Sequence, residues 1–443
     1  MTRFDIYAGR VRVLNEASAE IPLTPFACTY LSTRRRPLVP GLREIRTGGE
    51  RFEHDWAAFL LLCSANLKFV DLLTVGDEDG QKMGAFLQSL HAVAGDETHG
   101  LEVLQISAHH THVDLITKFN LLQDIALWFN SRTTGAIVVG GFSKLSALHH
   151  LSRLHLTWNV QEDENHSHFS SLLPPHSVDF PSLHSIEIRA PSYIVLLLVQ
   201  CLRAYNLKCI ELTCLSPPRD QSTTFRQLIE ACGLLAASLE EVGFDFHGDE
   251  RIDREAIGSI FNLTRRFHLR TLVLKEPEFD IDNAYINEAC QFHYFSHLEV
   301  LRLTTYQYCQ FNSLLTFPIL RSFAIHCPLL KDLELCLTVE EEHLLLLIEE
   351  TENKHSLSHC LKTLTINLTK TAETTTFLTN RESIPVVSMY LDSLFPSLDF
   401  RTNDVWIYQY DPFVRGIRRI LRGLQHRSVM DSRRLVGSQV TDI

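Results

Sequence analysis

The sequence predicts an α/β solenoid, a row of stacked coils that each contribute one strand and one helix. Three observations predict it: a six-residue apolar frame recurs along most of the chain, helix-spaced apolar residues lie between its copies, and chain breakers are scarce. The 443 residues include only 19 glycines and 16 prolines, so most of the chain is expected in regular structure. With 45% hydrophobic and 21% charged residues, the composition excludes a collagen, a low-complexity tail and a small disulfide-knotted module.

The frame reads apolar-x-x-apolar-x-apolar. Its copies are Leu67-KF-Val70-D-Leu72, Leu101-EV-Leu104-Q-Ile106, Leu151-SR-Leu154-H-Leu156, Leu183-HS-Ile186-E-Ile188, Leu207-KC-Ile210-E-Leu212 and Leu239-EE-Val242-G-Phe244. Further on come Leu269-RT-Leu272-V-Leu274, Leu298-EV-Leu301-R-Leu303, Leu320-RS-Phe323-A-Ile325, Leu330-KD-Leu333-E-Leu335 and Leu361-KT-Leu364-T-Ile366, with Leu42-RE-Ile45 as a weaker first copy. From Leu42 to Leu361 the twelve copies span 319 residues in eleven steps, about 29 each. The fourth and sixth positions fall on one face of a short strand, and the first leucine turns in at its start. One such strand cannot bury its face alone; stacked parallel copies can, with a helix closing each coil. This is the pattern of a leucine-rich repeat. The expected form is an irregular horseshoe, with parallel strands on the concave face and helices on the convex face. Residues 1–40 are expected as an N-terminal flank, 41–400 as the solenoid, and 401–443 as a C-terminal cap with a basic helix and a disordered tail.

Helices are predicted where the coils need them. Phe52, Trp56, Phe59 and Leu60 follow a 3–4 spacing, as do Phe225, Leu228, Ile229 and Cys232, and Ile257, Ile260, Phe261 and Thr264. Pro191-Ser192 opens the apolar run Tyr193–Leu202, the hydroxyls of Ser222, Thr223 and Thr224 offer caps, and Ser143–Leu148 and Ile384–Leu394 are further helix candidates. Two irregularities stand out. Leu320 and Leu330 are too close for an intervening helix, so one copy is expected to be a loop or the two to be tight successive strands. The ninth position, where regular repeats place an Asn or Cys that bonds the turn backbone, is rarely kept, and Asn159 is its one good match. Insertions are expected at 75–100 and 111–150.

Charge and targeting narrow the function. Lys and Arg number 41 against 53 Asp and Glu, a net charge of −12, which repels phosphate backbones and argues against nucleic acid. No run reaches the roughly 18 apolar residues of a membrane span. The opening MTRFDIYAGRVRVL carries charges where a secretory signal needs an apolar core. The eleven cysteines show no C-x-x-C pair and read as buried hydrophobes of a reducing compartment. A cytoplasmic or nuclear protein is expected. From Asp411 onward seven arginines face three aspartates, a local balance of +4. Val414, Ile417, Leu421 and Leu424 share one helical face there, opposite Arg415, Arg418, Arg419 and Arg422, as a helix covering the last coil would.

Chemistry-bearing residues give no catalytic pattern. The histidine clusters His109, His110 and His112, then His149, His150 and His155, then His166 and His168, lack a metal-site frame and are read as loop or turn residues. Gly140-Gly141 lacks the spacing and the Lys-Ser/Thr ending of a phosphate loop and reads as a strand-to-helix turn. No G-x-S-x-G elbow is present. No metal or cofactor is expected. The candidate binding residues are instead the outward third and fifth frame positions: Arg153, His155, Glu187, Glu211, Glu241, Arg302, Asp332 and Glu334. Their acidic majority suggests a ligand presenting basic groups.

PLVPGLREIRTGG, AAFLLLCSANLKFVDL, FPSLHSIEI and FPILRSFAIHCPLLKDLEL resemble the leucine-rich region of fungal, mushroom-type F-box proteins, and RFDIYAGRVRVL is similar to the stretch that follows their F-box. The resemblance covers about residues 3–400. Nothing before Arg43 fits the F-box itself, Ile21-Pro22-Leu23-Thr24 being a poor imitation, so the adaptor-binding half is expected to be missing. The resemblance implies the substrate-recognition part of a ubiquitin-ligase receptor, a monomer without chemistry of its own. It would bind a protein partner or ubiquitination substrate, and a Skp-type adaptor if an F-box is restored. The rival expectations are a scaffold solenoid unrelated to ubiquitin and an α/β hydrolase or transferase.

Overall fold

Where the frame recurs, a parallel strand forms, Leu320–Ile325 excepted. The computed structural model describes residues 7–15, 38–46, 60, 62–72, 81–94, 100–129, 135–158, 177–215, 221–235, 237–247, 252–275, 280–304, 315–338, 347–348, 359–368, 383–396, 398, 416–417 and 419–424. The chain divides into two compact units, one of residues 1–218 and 230–239, the other of residues 219–229 and 240–443.

In the first unit the strands β1 (Val13–Asn15), β2 (Glu44–Arg46), β3 (Phe69–Leu72), β4 (Val103–Ala108), β5 (Asp124–Phe129), β6 (Arg153–Trp158), β8 (Ser185–Ala190) and β10 (Cys209–Cys214) lie side by side in that order, all parallel. β7 (Val178–Asp179) and β9 (Leu202–Arg203) form a separate parallel pair. Neighbouring parallel strands need a crossover. Helices α1 (Gln81–Ala94), α2 (Val113–Ile116), α3 (Gly135–Leu145) and α4 (Ser192–Cys201) supply it. The register is without offset, so Val70, Leu104, Ile125, Leu154, Ile186 and Ile210 form one row, and Leu72, Ile106, Leu127, Leu156, Ile188 and Leu212 form another. All twelve side chains are at most 2% exposed.

The second unit repeats this scheme. Strands β11 (Glu241–Phe246), β12 (Thr271–Lys275), β13 (Val300–Thr304), β14 (Asp332–Leu337) and β15 (Thr363–Leu368) pair in chain order, all parallel. Val242, Leu272, Leu301, Leu333 and Leu364 make its buried row. Helix α5 (Gln221–Cys232) contributes Phe225, whose ring stands edge-on to Phe244 at 5.7 Å. Helices α6 (Arg254–Phe267), α7 (Asn283–Gln291), α8 (Ile319–His326) and α9 (Ser383–Leu394) follow. The cap residues of α6 and α7, Asp253 and Asp282, each accept a backbone N–H of the first turn at 2.8 Å. Each is also gripped by an arginine of the preceding helix, Arg226 at 2.7 Å and Arg254 at 2.6 Å. The Tyr285 N–H, followed by Arg254, holds the Asp282 carboxyl below the usual carboxylate range.

Three backbone devices recur. Within each unit the carbonyl of a second frame position accepts the N–H groups of the second and third positions of the next copy, as Glu102 does from Gln123 at 2.8 Å and Asp124 at 3.1 Å, and Arg270 does from Glu299 at 2.8 Å and Val300 at 2.9 Å. A tight turn precedes the first leucine: Leu122 N–H donates to Phe119, Leu298 to Phe295 and Leu330 to Cys327, each at 3.1 Å. The side chain just before that leucine reaches back to a turn carbonyl of the preceding copy. Asn66 donates to Pro40 at 2.9 Å, Ser182 to His149 at 2.6 Å, Asn206 to Pro181 at 2.7 Å and Cys360 to Pro328 at 2.9 Å. The ninth-position candidate Asn159 lies outside the described residues.

Several expectations are corrected. Leu320–Ile325 is neither strand nor loop but part of α8: Leu320, Phe323 and Ala324 are buried at helical spacing, while Ile325 is 49% exposed. The stretch 111–150 is not an insertion, because it contains β5, whose Leu122, Ile125 and Leu127 complete a further copy of the frame. Gly140 and Gly141 sit inside α3 rather than in a turn, since Val138, Phe142 and Leu145 bury one helical face around them. Ser222, Thr223 and Thr224 lie within α5, which starts at Gln221, instead of ahead of it. Phe52, Trp56 and Phe59 lie outside the described residues, as do His166, His168, Val414, Arg415 and Arg418. Leu60 is described and 38% exposed, and Ile417 and Leu421 are buried while Arg419 and Arg422 are exposed.

Two outcomes follow for stability. Leu127→Ala should lower the resistance to urea by about 2–5 kcal/mol, the range for a buried leucine in a packed core, whereas Ile325→Ala should change it by less than about 0.5 kcal/mol. A reversed order would contradict the strand and helix assignments. The buried His359 donates from Nε2 to the Cys327 carbonyl at 2.7 Å and accepts the Leu361 N–H at Nδ1 at 3.0 Å. Burial lowers its pKa from the ordinary 6.5, so the folded state binds fewer protons than the unfolded one. Its contribution to stability is complete above about pH 6.5 and is lost as the pH falls through the lower folded-state value. Unfolding midpoints of the wild type should therefore drop on acidification through this window, with a flatter profile in His359→Gln.

Candidate functional site

Strand alternation that buries the fourth and sixth positions turns the third and fifth outward. Zero-offset pairing then lines these outward side chains into rows. In the first unit one row runs Phe69, Val103, Asp124, Arg153, Ser185, Cys209, and the next runs Asp71, Gln105, Ala126, His155, Glu187, Glu211. In the second unit the rows are Glu241, Thr271, Val300, Asp332, Thr363 and Gly243, Val273, Arg302, Glu334, Thr365. All eight sequence-predicted residues stand in these rows, four in each unit.

Many of these charges are matched across neighbouring strands. Arg153 meets Asp124 at 2.8 Å, and burial pushes that carboxyl up against the opposing pull of Arg153 and His155. His155 Nδ1 lies 2.8 Å from Glu187, and its Nε2 lies 2.9 Å from the Thr157 hydroxyl. Arg302 donates to Asp332 at 2.7 Å and lies 3.9 Å from Glu334, which also accepts from Asn367 at 3.2 Å. The hydrogen bond to Asp332 leads the causes that raise Arg302 above the ordinary arginine range. Glu211 and Glu241 are exposed. Three of the carboxylates expected to meet a basic ligand, Glu187, Asp332 and Glu334, are thus already engaged within their own units.

Sequence reading missed Asp124 and Trp128, because the copy that carries them was overlooked; the frame Leu122-QD-Ile125-A-Leu127 was the available signal. Trp128 stands in line with Thr157 on the next strand, and among the described residues its buried indole N–H has no acceptor. A small hollow lies beside Val113, Val138, Phe142, Leu156 and Trp158, with His110 as its one titratable lining residue. Among the described residues the buried His110 Nδ1 has no hydrogen-bond partner. Among the described residues no three His, Cys, Asp or Glu side chains converge as a metal site would need, and no helix is long and apolar enough to cross a membrane.

No protein-family model matches the sequence, and no curated protein matches it. Among solved structures the chain is similar to one described as the crystal structure of the Rad7 and Elc1 complex in yeast. The identity is 15%, the TM-score 0.38, and the match covers 75% of this chain and 78% of that one. The functional reading therefore rests on this chain's own strands.

The outward pairs should behave as surface ion pairs. In a double-mutant cycle of Arg302→Gln and Asp332→Asn, the coupling energy should stay at or below about 1 kcal/mol and shrink in about 0.5 M salt. A salt-insensitive coupling of several kcal/mol would mark a desolvated structural pair instead.

Proposed function

We propose that the chain is a leucine-rich-repeat solenoid whose strands line a concave face and whose helices lie on the convex side, and that it is a non-catalytic protein-binding module. The observation that carries this reading is the set of outward rows, polar side chains held at fixed spacing by strands about 4.8 Å apart. Such a surface recognises a protein by complementarity along its length, with no chemistry of its own. Within this reading Arg153, His155, Glu187 and Glu211 belong to the binding surface in the first unit, and Glu241, Arg302, Asp332 and Glu334 in the second. The resemblance to fungal F-box proteins supports the further step, the substrate-recognition part of a ubiquitin-ligase receptor. It would act as a monomer in the cytoplasm or nucleus, with a Skp-type adaptor engaged through an F-box.

The test uses two variants, Arg153→Glu with Glu187→Lys, and Arg302→Glu with Glu334→Lys. Cross-linked partners are quantified by mass spectrometry beside a helix-side control, Lys82→Glu. At least one variant should lose a protein that the control retains, by about tenfold, the equivalent of about 1.4 kcal/mol. Capture unchanged in both variants would contradict the reading. The ligase step requires that the captured protein accumulate when this chain is depleted; steady levels would remove that step.

A further inference from the structure

The recurring backbone bond leaves one edge incomplete. In β2, the N–H groups of Arg43 and Glu44 donate to the Arg12 carbonyl at 2.7 and 3.1 Å. Arg12 and Val13 hold the same two positions in β1, Val13 being in register with Glu44. Among the described residues neither of their N–H groups has an acceptor. A strand edge with unmatched donors is a template for another strand. This edge is also apolar and cationic: Val11 is 37% exposed, Val13 46% and Tyr7 66%, and Arg10 is exposed beside them. The Arg12 guanidinium is pinned there by bonds to the Gly9 carbonyl at 3.0 Å and the Gly41 carbonyl at 2.9 Å. On its other side the second frame position is again an arginine, Arg43.

We propose that the open edge of β1 takes one further strand from another polypeptide, parallel to β1, apolar at alternating positions and acidic at its second frame position. The second unit holds this arrangement already formed. The Glu240 carbonyl accepts the N–H groups of Arg270 and Thr271 at 2.8 and 3.1 Å, and the Glu240 carboxylate lies 3.6 Å from Arg270. Second-position charges alternate from there, Arg270 meeting Glu299 at 2.6 Å and Glu299 meeting Lys331. In the first unit, Lys68 meets Glu102 at 2.6 Å in the same positions. Arg12, Arg43 and Lys68 hold the second position in three successive copies, so the β1 edge ends in a run of cations that an incoming acid would meet. The site is a backbone edge, separate from the outward face of the strands, and does not depend on the role assigned to that face.

The experiment titrates the full chain into a fluorescein-labelled decapeptide with the sequence of residues 237–246, ASLEEVGFDF, and into the same peptide carrying Glu240→Lys. The first should give a saturable rise in anisotropy, and the lysine peptide should bind at least about tenfold more weakly, as like charges are brought together. Bound peptide should slow amide exchange at Val13. Val13→Pro deletes a donor for which no described residue is an acceptor, at an edge position where proline is tolerated, so it should abolish binding while the unfolding midpoint stays in place. If that variant unfolds early, the comparison of the two peptides on the unaltered chain decides. The proposal is overturned by absence of saturable binding, by equal binding of both peptides, by binding that survives Val13→Pro, or by self-association that slows Val13 exchange without peptide.

Discussion

One carbonyl per copy, at the second frame position, accepts two N–H groups from the copy that follows, and this bond governs the rest of each unit. It fixes neighbouring strands at zero offset. A slip of one residue would turn every buried leucine outward, so the apolar rows and the hydrogen bond enforce the same register. Once the register is set, equivalent positions must stack, and each position of the frame becomes a row across the sheet of its unit. The first, fourth and sixth are apolar and dry. At the second, charges alternate along Glu240, Arg270, Glu299 and Lys331, while Arg12, Arg43 and Lys68 form a cationic run. The third and fifth lie on the opposite face and mix charged residues with apolar ones such as Phe69, Val103 and Val300.

This stacking also shapes the surface. Because Arg153, His155 and Arg302 find carboxylates on adjacent strands, the outward face is a pattern of matched pairs more than a field of one sign. A partner would exchange one ion pair for another at small net cost, which favours selectivity through spacing over raw electrostatic attraction. The turns are secured differently. A short polar side chain before the first leucine crosses to the previous copy, and each such bond is worth about 0.5–1.5 kcal/mol. Repetition along the sheet makes the sum count.

The strands were legible in the sequence because the frame is written in residues whose burial has a period of two. Ambiguity arose where two templates share letters. Leu320 and Phe323 fit a strand frame and a helix face equally well, and only the exposure of Ile325 separates them. Leu122 was passed over because the helical stretches on either side of it looked like an insertion. Gly140 and Gly141 suggested a turn by composition, yet the apolar residues flanking them bury a continuous helical face. The site was legible only as a list of outward positions. Which side chains pair depends on copies set about thirty residues apart in sequence, and nothing local announces that Arg302 will meet Asp332. The corner bonds of Asn66, Ser182 and Asn206 were hidden for the same reason, since their acceptors are backbone carbonyls of a distant copy.

Native-state hydrogen exchange resolved to single amides tests the governing bond most directly. The third-position amides of Asp124, Arg153, Ser185, Thr271, Val300 and Asp332 should exchange slowly, near the limit set by unfolding of their unit, while the edge amide of Val13 exchanges at close to its unprotected rate. Third-position amides as fast as Val13 would show that successive copies are not joined through the second-position carbonyl, and the rows built on that bond would have no basis.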